Sequence, residues 1–133
     1  MEINQTYQLN HTVDANDLAS TLSPDPSDEF PSVFATSRMI AFMEFCSARF
    51  MKPLLKDGQL SVGVGIDIKH TVPTLSGEEV VISSTHLGQE GKLYKFKVSV
   101  ADNQGVVGEG EHTRAIVITE KLMKIAEKMA SKE

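Results

Sequence analysis

FATSRMIAFMEFCSARFMKPLL, residues 34–55, is the longest apolar, helix-compatible stretch of the chain. Thr36 or Ser37 stands where a helix N-cap is expected, because either hydroxyl can accept a backbone N–H group of the first turn. The apolar residues cover most of the circumference, which predicts one buried helix of about four to five turns. Glu44 lies within this apolar surface, and a buried carboxylate is costly unless it is paired, protonated or used. Glu44 is therefore the first candidate functional residue.

Size and composition limit the possible classes of protein. With 133 residues, 41% hydrophobic and 23% charged, the chain is expected to form a single domain over residues 1–133. A net charge of −5 argues against nucleic acid as a partner. There is no apolar run long enough to span a membrane and no secretory signal pattern. The single cysteine, Cys46, has no disulfide partner in the chain, which favours a reducing compartment, so we predict a cytoplasmic protein.

Four strand-like segments follow the long helix. In the first, apolar residues alternate from Leu60 to Ile68, and His70 continues the alternation, so its side chain is expected on the face that packs against the helix. In the last, Arg114 shares a face with two isoleucines, and two glycines in that segment suggest a bulge or a close approach by another group. The segments are Leu60–His70, Glu79–Leu87, Leu93–Ala101 and Val106–Ile118.

The rest of the chain has shorter signals. Residues 2–13 alternate as a strand, Asp14 is expected to cap a short helix, and Thr119 with Glu120 is expected to cap a final amphipathic helix. Residues 23–31 are rich in proline and acid, which predicts a solvated loop; the alternative is a lid in which Phe30 and Phe34 fold over a pocket. Strands joined by short turns, with one buried helix across them, predict an α+β hot-dog fold, a curved antiparallel sheet wrapped around the long helix.

Several short motifs resemble the fluoroacetyl-CoA thioesterase-like family of hot-dog proteins. They are Glu29-Phe-Pro-Ser-Val-Phe-Ala-Thr36, Met43-Glu44, Ser61-Val-Gly-Val-Gly65, His70-Thr-Val-Pro-Thr-x-x-Gly77 and Gly108-x-Gly-x-His-x-Arg114. The resemblance covers residues 2–118, with the motifs in the family's order and spacing. It implies a homodimer that hydrolyses a small acyl-CoA thioester at a site on the subunit interface.

The resemblance also implies roles for individual residues. The family's catalytic threonine, glutamate and histidine fall on Thr36, Glu44 and His70. Gly63 matches the glycine whose backbone neighbours the thioester, and Arg114 matches the arginine of the last strand, so both are implied substrate-binding residues together with the lid residues Phe30 and Phe34. The lid departs from the family pattern: Pro26-Ser27-Asp28 is polar and acidic where the family has aromatic residues, which puts fluoroacetyl specificity in doubt.

Thioester hydrolysis needs a nucleophile or an activated water, a proton-transfer group and donors to the developing oxyanion. Thr36, Glu44 and His70 supply suitable groups, and either Glu44 or water can be the nucleophile. Each residue alone also has a simpler interpretation: Thr36 as an N-cap, Glu44 as a partner of Arg38 or Arg114, and His70 as a core residue.

The spacing of Thr36 and Glu44 restricts how the three residues can meet. Eight positions on one helix separate them by roughly 12 Å along the axis, so their side chains cannot touch. Either the helix begins after Thr36, or the trio is completed across a dimer, or substrate bridges it.

Two other classes of function remain open at this point. A hot-dog protein can bind an acyl-CoA without catalysis, or act as a dehydratase or isomerase that leaves the thioester whole. The four histidines have no metal-ligand spacing with Cys46, so we expect no metal site, and no cofactor besides the coenzyme A of the substrate.

Overall fold

The computed structural model describes residues 1–132. Five antiparallel strands form one sheet in the order β1-β3-β4-β5-β2, so β2 lies at an edge. The helices and strands are β1 (Thr6–Thr12), α1 (Ala19–Leu22), α2 (Thr36–Met51), β2 (Gln59–His70), β3 (Glu79–Glu90), β4 (Leu93–Asp102), β5 (Gly105–Ile118) and α3 (Thr119–Ala130), with 3-10 turns at Ala15–Asp17 and Lys52–Leu54. This arrangement confirms the predicted α+β hot-dog fold.

The core lies between α2 and the inner face of the sheet, which is the face toward the helix. The alternation of β4 buries Phe96, Val98 and Val100, each fully inaccessible to solvent. They meet the buried residues of α2, which are Met39, Phe42, Met43, Cys46, Phe50 and Met51. Each such side chain contributes about 1.5–3 kcal/mol of transfer free energy, so this packing fixes where both ends of α2 sit on the sheet.

Helix α2 differs from its prediction in two respects. Its N-cap is Ala35 and no side chain caps it, so Thr36 is the first helical residue and neither Thr36 nor Ser37 is the N-cap. The helix is also not buried all round, because Phe45 is 41% exposed and the Glu44 side chain is also 41% exposed. The expectation that Glu44 is a buried carboxylate is therefore wrong for the single protomer.

The ends of other elements also differ from the prediction. Strand β1 begins at Thr6 rather than near residue 2, since Asn4 adopts a left-handed backbone with φ 68°. Asp14 does cap as expected, accepting the Asn16 N–H, but the turn that it caps is 3-10. Helix α3 begins at Thr119 with Ile118 as its N-cap and no side-chain cap, so Thr119 is not the cap.

No helix within residues 1–132 combines the length and the apolar character that crossing a bilayer requires.

Candidate functional site

A bulge in β2 decides which side chains of this edge strand face α2. Gly63 pairs with Arg114 and Gly65 with Thr113, so Val64 is an extra residue in the ladder. The alternation changes face at such a bulge. Gly63 and His70 therefore both lie on the inner face, as predicted for His70, whereas Leu60 lies on the outer one.

Thr36 and His70 meet at one end of β2. The Thr36 Oγ1 atom lies 2.8 Å from the His70 Nδ1 atom, so the hydroxyl can donate to an unprotonated Nδ1. The contact exists because α2 begins at Thr36 while β2 ends at His70. Thr36 and His70, two of the three residues of the predicted trio, are thus brought together within one chain.

The surroundings of His70 favour the neutral imidazole. Burial lowers the pKa of His70 below its ordinary value of 6.5, and the nearby backbone of Val72 partly opposes that shift. The Phe34 ring packs edge-on against the imidazole, with 6.5 Å between the ring centroids. The Nε2 atom is buried and has no hydrogen-bond partner among residues 1–132. With Thr36 donating to Nδ1, the proton of the neutral imidazole lies on Nε2, so Nδ1 can accept a proton near neutral pH and the Nε2–H group remains a donor without an acceptor in the protomer.

Two clefts flank Thr36. One of about 380 Å³ is lined by Phe34, Thr36, His70 and Val72, together with Ala19, Pro31, Val33, Ala35, Thr71 and Pro73. The other, of about 480 Å³, is lined by Thr36, Phe30 and Asp28, together with Ala19, Leu22, Ser23, Ala35 and Ser37. Phe30 is 53% exposed, but Phe34 is only 1% exposed and belongs to the core. The lid hypothesis therefore applies to Phe30 and not to Phe34.

Glu44 lies with Arg114 and Gly63, away from Thr36 and His70. The Arg114 Nη1 donates to Glu44 Oε2 at 3.2 Å, while Nε and Nη2 donate to the side chain and the carbonyl of Ser61. Burial lowers the pKa of Arg114, and the nearby carboxylate of Glu44 raises it. The guanidinium stays charged, and Arg114 fixes the direction of the Glu44 carboxylate.

His112 belongs to the same cluster and was not singled out from sequence. Its Nδ1–H donates to the Gly65 carbonyl at 2.7 Å, which leaves Nε2 free to accept from Arg114 Nη1 at 3.1 Å. Burial lowers the pKa of His112, which favours its neutral form. Its position two residues before Arg114, on the same strand face, is the signal that could have indicated this role.

The glycines on this surface allow close approach, as the sequence suggested for β5. A Cβ atom on Gly63 would lie 2.5 Å from Glu44 Oε2, and one on Gly108 would lie 2.6 Å from Met39. A Cβ atom on Gly110 would overlap the Asp67 carbonyl oxygen of the paired strand. The glycine at 63 therefore lets the Glu44 carboxylate lie directly on the strand.

The start of α2 is anchored by Asp17, which is 1% exposed. Its backbone carbonyl accepts the Ala35 N–H, and its carboxylate binds His11 and Arg38 at 2.6 and 3.0 Å. Burial raises the pKa of Asp17, but hydrogen bonds from Asp14, His11 and Arg38 outweigh it and lower the pKa overall. Asp17 thus fixes the helix end that carries Thr36.

The described residues therefore form two separate clusters. We call them the first half-site, Thr36 with His70, and the second half-site, Glu44 with Arg114 and Gly63. A third cleft, of about 200 Å³, is lined by Glu44, Gly63 and His112, together with Val64, Gly65 and Ile66. Within residues 1–132, neither Thr36 nor His70 lines this cleft or hydrogen-bonds to Glu44. Because α2 begins at Thr36 itself, the hypothesis of a helix starting after Thr36 is wrong, and the trio is not assembled within one protomer.

Within residues 1–132, no group of three or more histidine, cysteine, aspartate or glutamate side chains is placed to hold a metal ion. The absence of a cofactor remains a prediction. Cys46 is fully buried, and burial raises its pKa to about 12, so its thiol is protonated and unreactive.

Comparison with known proteins identifies the family. The profile of the fluoroacetyl-CoA-specific thioesterase family FlK matches residues 13–120. The fluoroacetyl-CoA thioesterase of Streptantibioticus cattleyicolor is 32% identical over 123 residues, covering 91% of this chain and 88% of that protein.

Solved structures agree with this assignment. A crystal structure of the fluoroacetyl-CoA thioesterase FlK superposes with a TM-score of 0.90 at 30% identity, covering 100% of this chain and 98% of the other. A hot-dog-like protein from Thermanaerovibrio acidaminovorans, at 20% identity and a TM-score of 0.85, covers 98% of this chain and 94% of its own and supports the fold alone. The chain is therefore a thioester hydrolase that belongs to the fluoroacetyl-CoA-specific thioesterase family, as its sequence motifs predicted.

Proposed function

We propose that this protein hydrolyses a small acyl-CoA thioester, using Thr36, Glu44 and His70 in a site shared by two subunits of a homodimer. The observation that carries the proposal is the 2.8 Å contact between Thr36 and His70, with the unpaired Nε2 of His70 beside it. Membership of a thioesterase family supports the reaction class. We retain the prediction of a cytoplasmic location.

The pairing of β2 edges explains how Glu44 would reach His70. Gly63, which lies against Glu44, is seven residues from His70 along β2, roughly 20 Å for an extended strand. The outer edge of β2 has unpaired backbone groups and an exposed apolar residue, Val64, at 55%. Such an edge is a template for pairing with a second copy.

One register of this pairing would bring the two half-sites together. With Val64 counted as the extra residue, a two-fold axis through Asp67 places His70 of one subunit opposite Gly63 of the partner subunit. Both residues lie on the inner face, so Glu44 of the partner subunit would face the unpaired Nε2 of His70. The site then needs one half from each chain.

The chemistry follows from the two halves. The Nδ1 atom of neutral His70 can take a proton from Thr36, or from water relayed by the Thr36 hydroxyl, and return it to the sulfur of the departing coenzyme A. Glu44, held by Arg114, can either attack the thioester carbonyl itself or orient the water that attacks it. The net reaction consumes one water and yields a carboxylic acid and free thiol. Backbone N–H groups at the uncapped start of α2 and near Gly63 can stabilise the oxyanion.

The acyl group is proposed to be small but not specifically fluoroacetyl. Phe30 and Arg114 are retained as proposed substrate contacts. The residues before Phe30 are polar and exposed, with Ser23 donating to Asp28 and Ser27 to Asp25. A loop that satisfies its own polar groups in this way leaves the cleft open to solvent instead of sealing it with aromatic rings.

Activity is tested by release of free thiol from a panel of short, branched and aromatic acyl-CoAs. Wild-type protein should act on one class, and His70→Ala and Glu44→Ala should each lose about 10³-fold in kcat, as expected for lost acid–base and electrostatic groups. No thiol release from any member of the panel by folded protein would contradict the proposal.

Sharing of the site is tested by complementation. Coexpressed His70→Ala and Glu44→Ala chains carrying different affinity tags are isolated as the mixed dimer, which has one intact site of two and should regain about half of the wild-type activity. The matched control pairs His70→Ala with the His70→Ala/Glu44→Ala double variant and should stay inactive. If the mixed dimer also stays inactive, the site is not shared between subunits.

A further inference from the structure

Helix α3 presents an apolar surface that nothing in the protomer covers. Leu122, Ile125 and Met129 are 38%, 62% and 60% exposed, and no residue of this helix is buried. Their spacing places them on one face, called the α3 stripe below. A twelve-residue helix is marginal in water without packing, and its Glu120–Lys124 pair is fully solvated and contributes little. The α3 stripe therefore requires an apolar packing partner from outside the protomer.

A second exposed apolar patch lies just beyond the other end of β2. Val72 is 43% exposed and Leu75 is 62% exposed. Val72 also lines the cleft that contains Thr36 and His70. Whatever covers this patch would therefore form part of the wall of that cleft.

The proposed β2 register brings the two patches together. Thr119, the first residue of α3, donates its backbone N–H to the Gly58 carbonyl at 3.0 Å, so α3 starts beside the residue that precedes β2. Antiparallel pairing of two β2 strands sets the start of one strand, beside Gly58 and α3, next to the end of the other, which leads on to Val72 and Leu75 of the partner subunit. Each patch lies at the opposite end of β2 from the other, so a two-fold axis pairs them twice.

We propose that the α3 stripe packs on Val72 and Leu75 of the partner subunit and forms a wall of the partner's acyl-CoA cleft. This inference rests on the shared-site dimer of the proposed function. It gives the helix a role in substrate binding: the apolar wall narrows the open cleft beside Thr36 and His70, while the catalytic groups come from other elements.

The charges of the two surfaces also favour packing of α3 on the partner subunit. Residues 119–132 contain four lysines and two glutamates, whereas the whole chain has a net charge of −5. Lys121 and Lys128 flank the stripe on one side of the helix. Glu78 and Glu79 follow Leu75 closely and are exposed. Opposite charges at the rim of an apolar contact favour this orientation over one that places α3 against a basic surface.

Cross-linking tests the contact independently of activity. Cysteines are placed at Leu122, Ile125 or Met129 in one chain and at Val72 in the other, and the mixed protein is treated with a short bismaleimide. Native Cys46 should not interfere, because it is fully buried with a pKa raised to about 12. The matched control is Glu127→Cys, on the opposite face of α3. We expect at least one stripe position to link between chains about tenfold faster than the control, since only that face would lie against Val72.

Equal rates for stripe and control positions, or links only within one chain, would overturn the inference. The outcome does not depend on turnover. A protein that cross-links as expected but hydrolyses no acyl-CoA would contradict the proposed function alone, and a hydrolase with shared sites but no stripe cross-link would contradict the role of α3 alone.

A kinetic measurement tests the wall itself. Ile125→Asp should raise KM for the preferred acyl-CoA about tenfold, with kcat within about threefold of wild type, because it would remove apolar binding surface without touching the reacting groups. Glu127→Ala is the control and should leave KM unchanged. An unchanged KM in Ile125→Asp would show that α3 does not line the cleft.

Discussion

The two half-sites along the inner face of β2 are held in opposite ways. His70 has one side-chain hydrogen bond, to Thr36, and one nitrogen without a partner among the described residues. Glu44 is fixed by Arg114, which itself also binds Ser61 and His112. A group that moves protons needs spare bonding capacity, whereas a carboxylate that orients or attacks needs a fixed direction. The comparison is consistent with the proposed roles, in which the first half-site transfers protons and the second positions a charge.

Thr36→Val breaks the first half-site and should have a larger effect than Gly63→Ala, which disturbs the second. It removes the hydroxyl that contacts His70 while keeping a β-branched side chain of similar size. We expect kcat to fall about 10²-fold because imidazole orientation and a donor are lost. The free energy of unfolding should change by less than about 0.5 kcal/mol, since the residue is exposed. Steady-state kinetics and thermal unfolding measure the two effects.

Ser37→Ala is the matched control for this change. Ser37 is the neighbouring exposed hydroxyl residue in the first turn of α2, and the variant should keep wild-type kinetics. Full activity in Thr36→Val would remove Thr36 from the mechanism and leave its contact with His70 structural.

Gly63→Ala disturbs the second half-site with a smaller expected effect. The new methyl group would lie 2.5 Å from Glu44 Oε2, so the carboxylate must move away. Because the end of a flexible side chain can shift at low cost, we expect about a tenfold loss in kcat with little loss of stability. The measurement is kcat for the preferred acyl-CoA beside the unfolding midpoint.

Gly65→Ala controls for replacing a glycine in the same strand, since a Cβ atom there meets nothing within 4 Å in the protomer. If Gly63→Ala and Gly65→Ala lose the same activity, the loss comes from replacing a glycine in β2 and not from displacing the Glu44 carboxylate, which would contradict the prediction.

Much of the fold could be predicted from the sequence because local signals and tertiary packing agree. The alternation of β4 and the apolar length of α2 each point to the same two-layer core that the structure shows. The face of His70 was also predicted correctly, because the alternation from Ile66 onward is regular. The bulge at Val64 was not predicted, since the unbroken alternation of apolar residues hides a change of face.

The sequence named candidate site residues, but it did not predict how they are arranged. The motif resemblance named Thr36, Glu44 and His70, but residue spacing could not show that Glu44 is paired with Arg114 and half-exposed. His112 was missed because a lone strand histidine is most often structural, and its bonds to Gly65 and Arg114 depend on register between strands distant in sequence. Whether the two halves meet depends on a second chain, which no pattern within one chain encodes directly.

The smallest expected effect is in pH dependence, and it separates the half-buried His70 from the buried His112. Burial lowers the pKa of both His70 and His112 from 6.5. If neutral His70 is the base, kcat/KM should stay high below pH 6.5 and fall only as the pH passes through the lower pKa of the folded protein. An acid limb above pH 6.5 would contradict that role.

His112→Gln sharpens the test, because glutamine can donate to Gly65 and accept from Arg114 as the histidine does. The acid limb of kcat/KM should not move, but the dependence of stability on pH should flatten. A histidine whose pKa is lowered on folding stabilises the protein above its unfolded pKa, and that contribution is lost as the pH falls below it. The lost slope is at most about 1.4 kcal/mol per pH unit. Denaturant unfolding at pH values from about 5 to 8, the range in which histidine changes charge, measures this slope. If the acid limb of kcat/KM moves in His112→Gln, the titrating group belongs to the Glu44 half-site and not to His70.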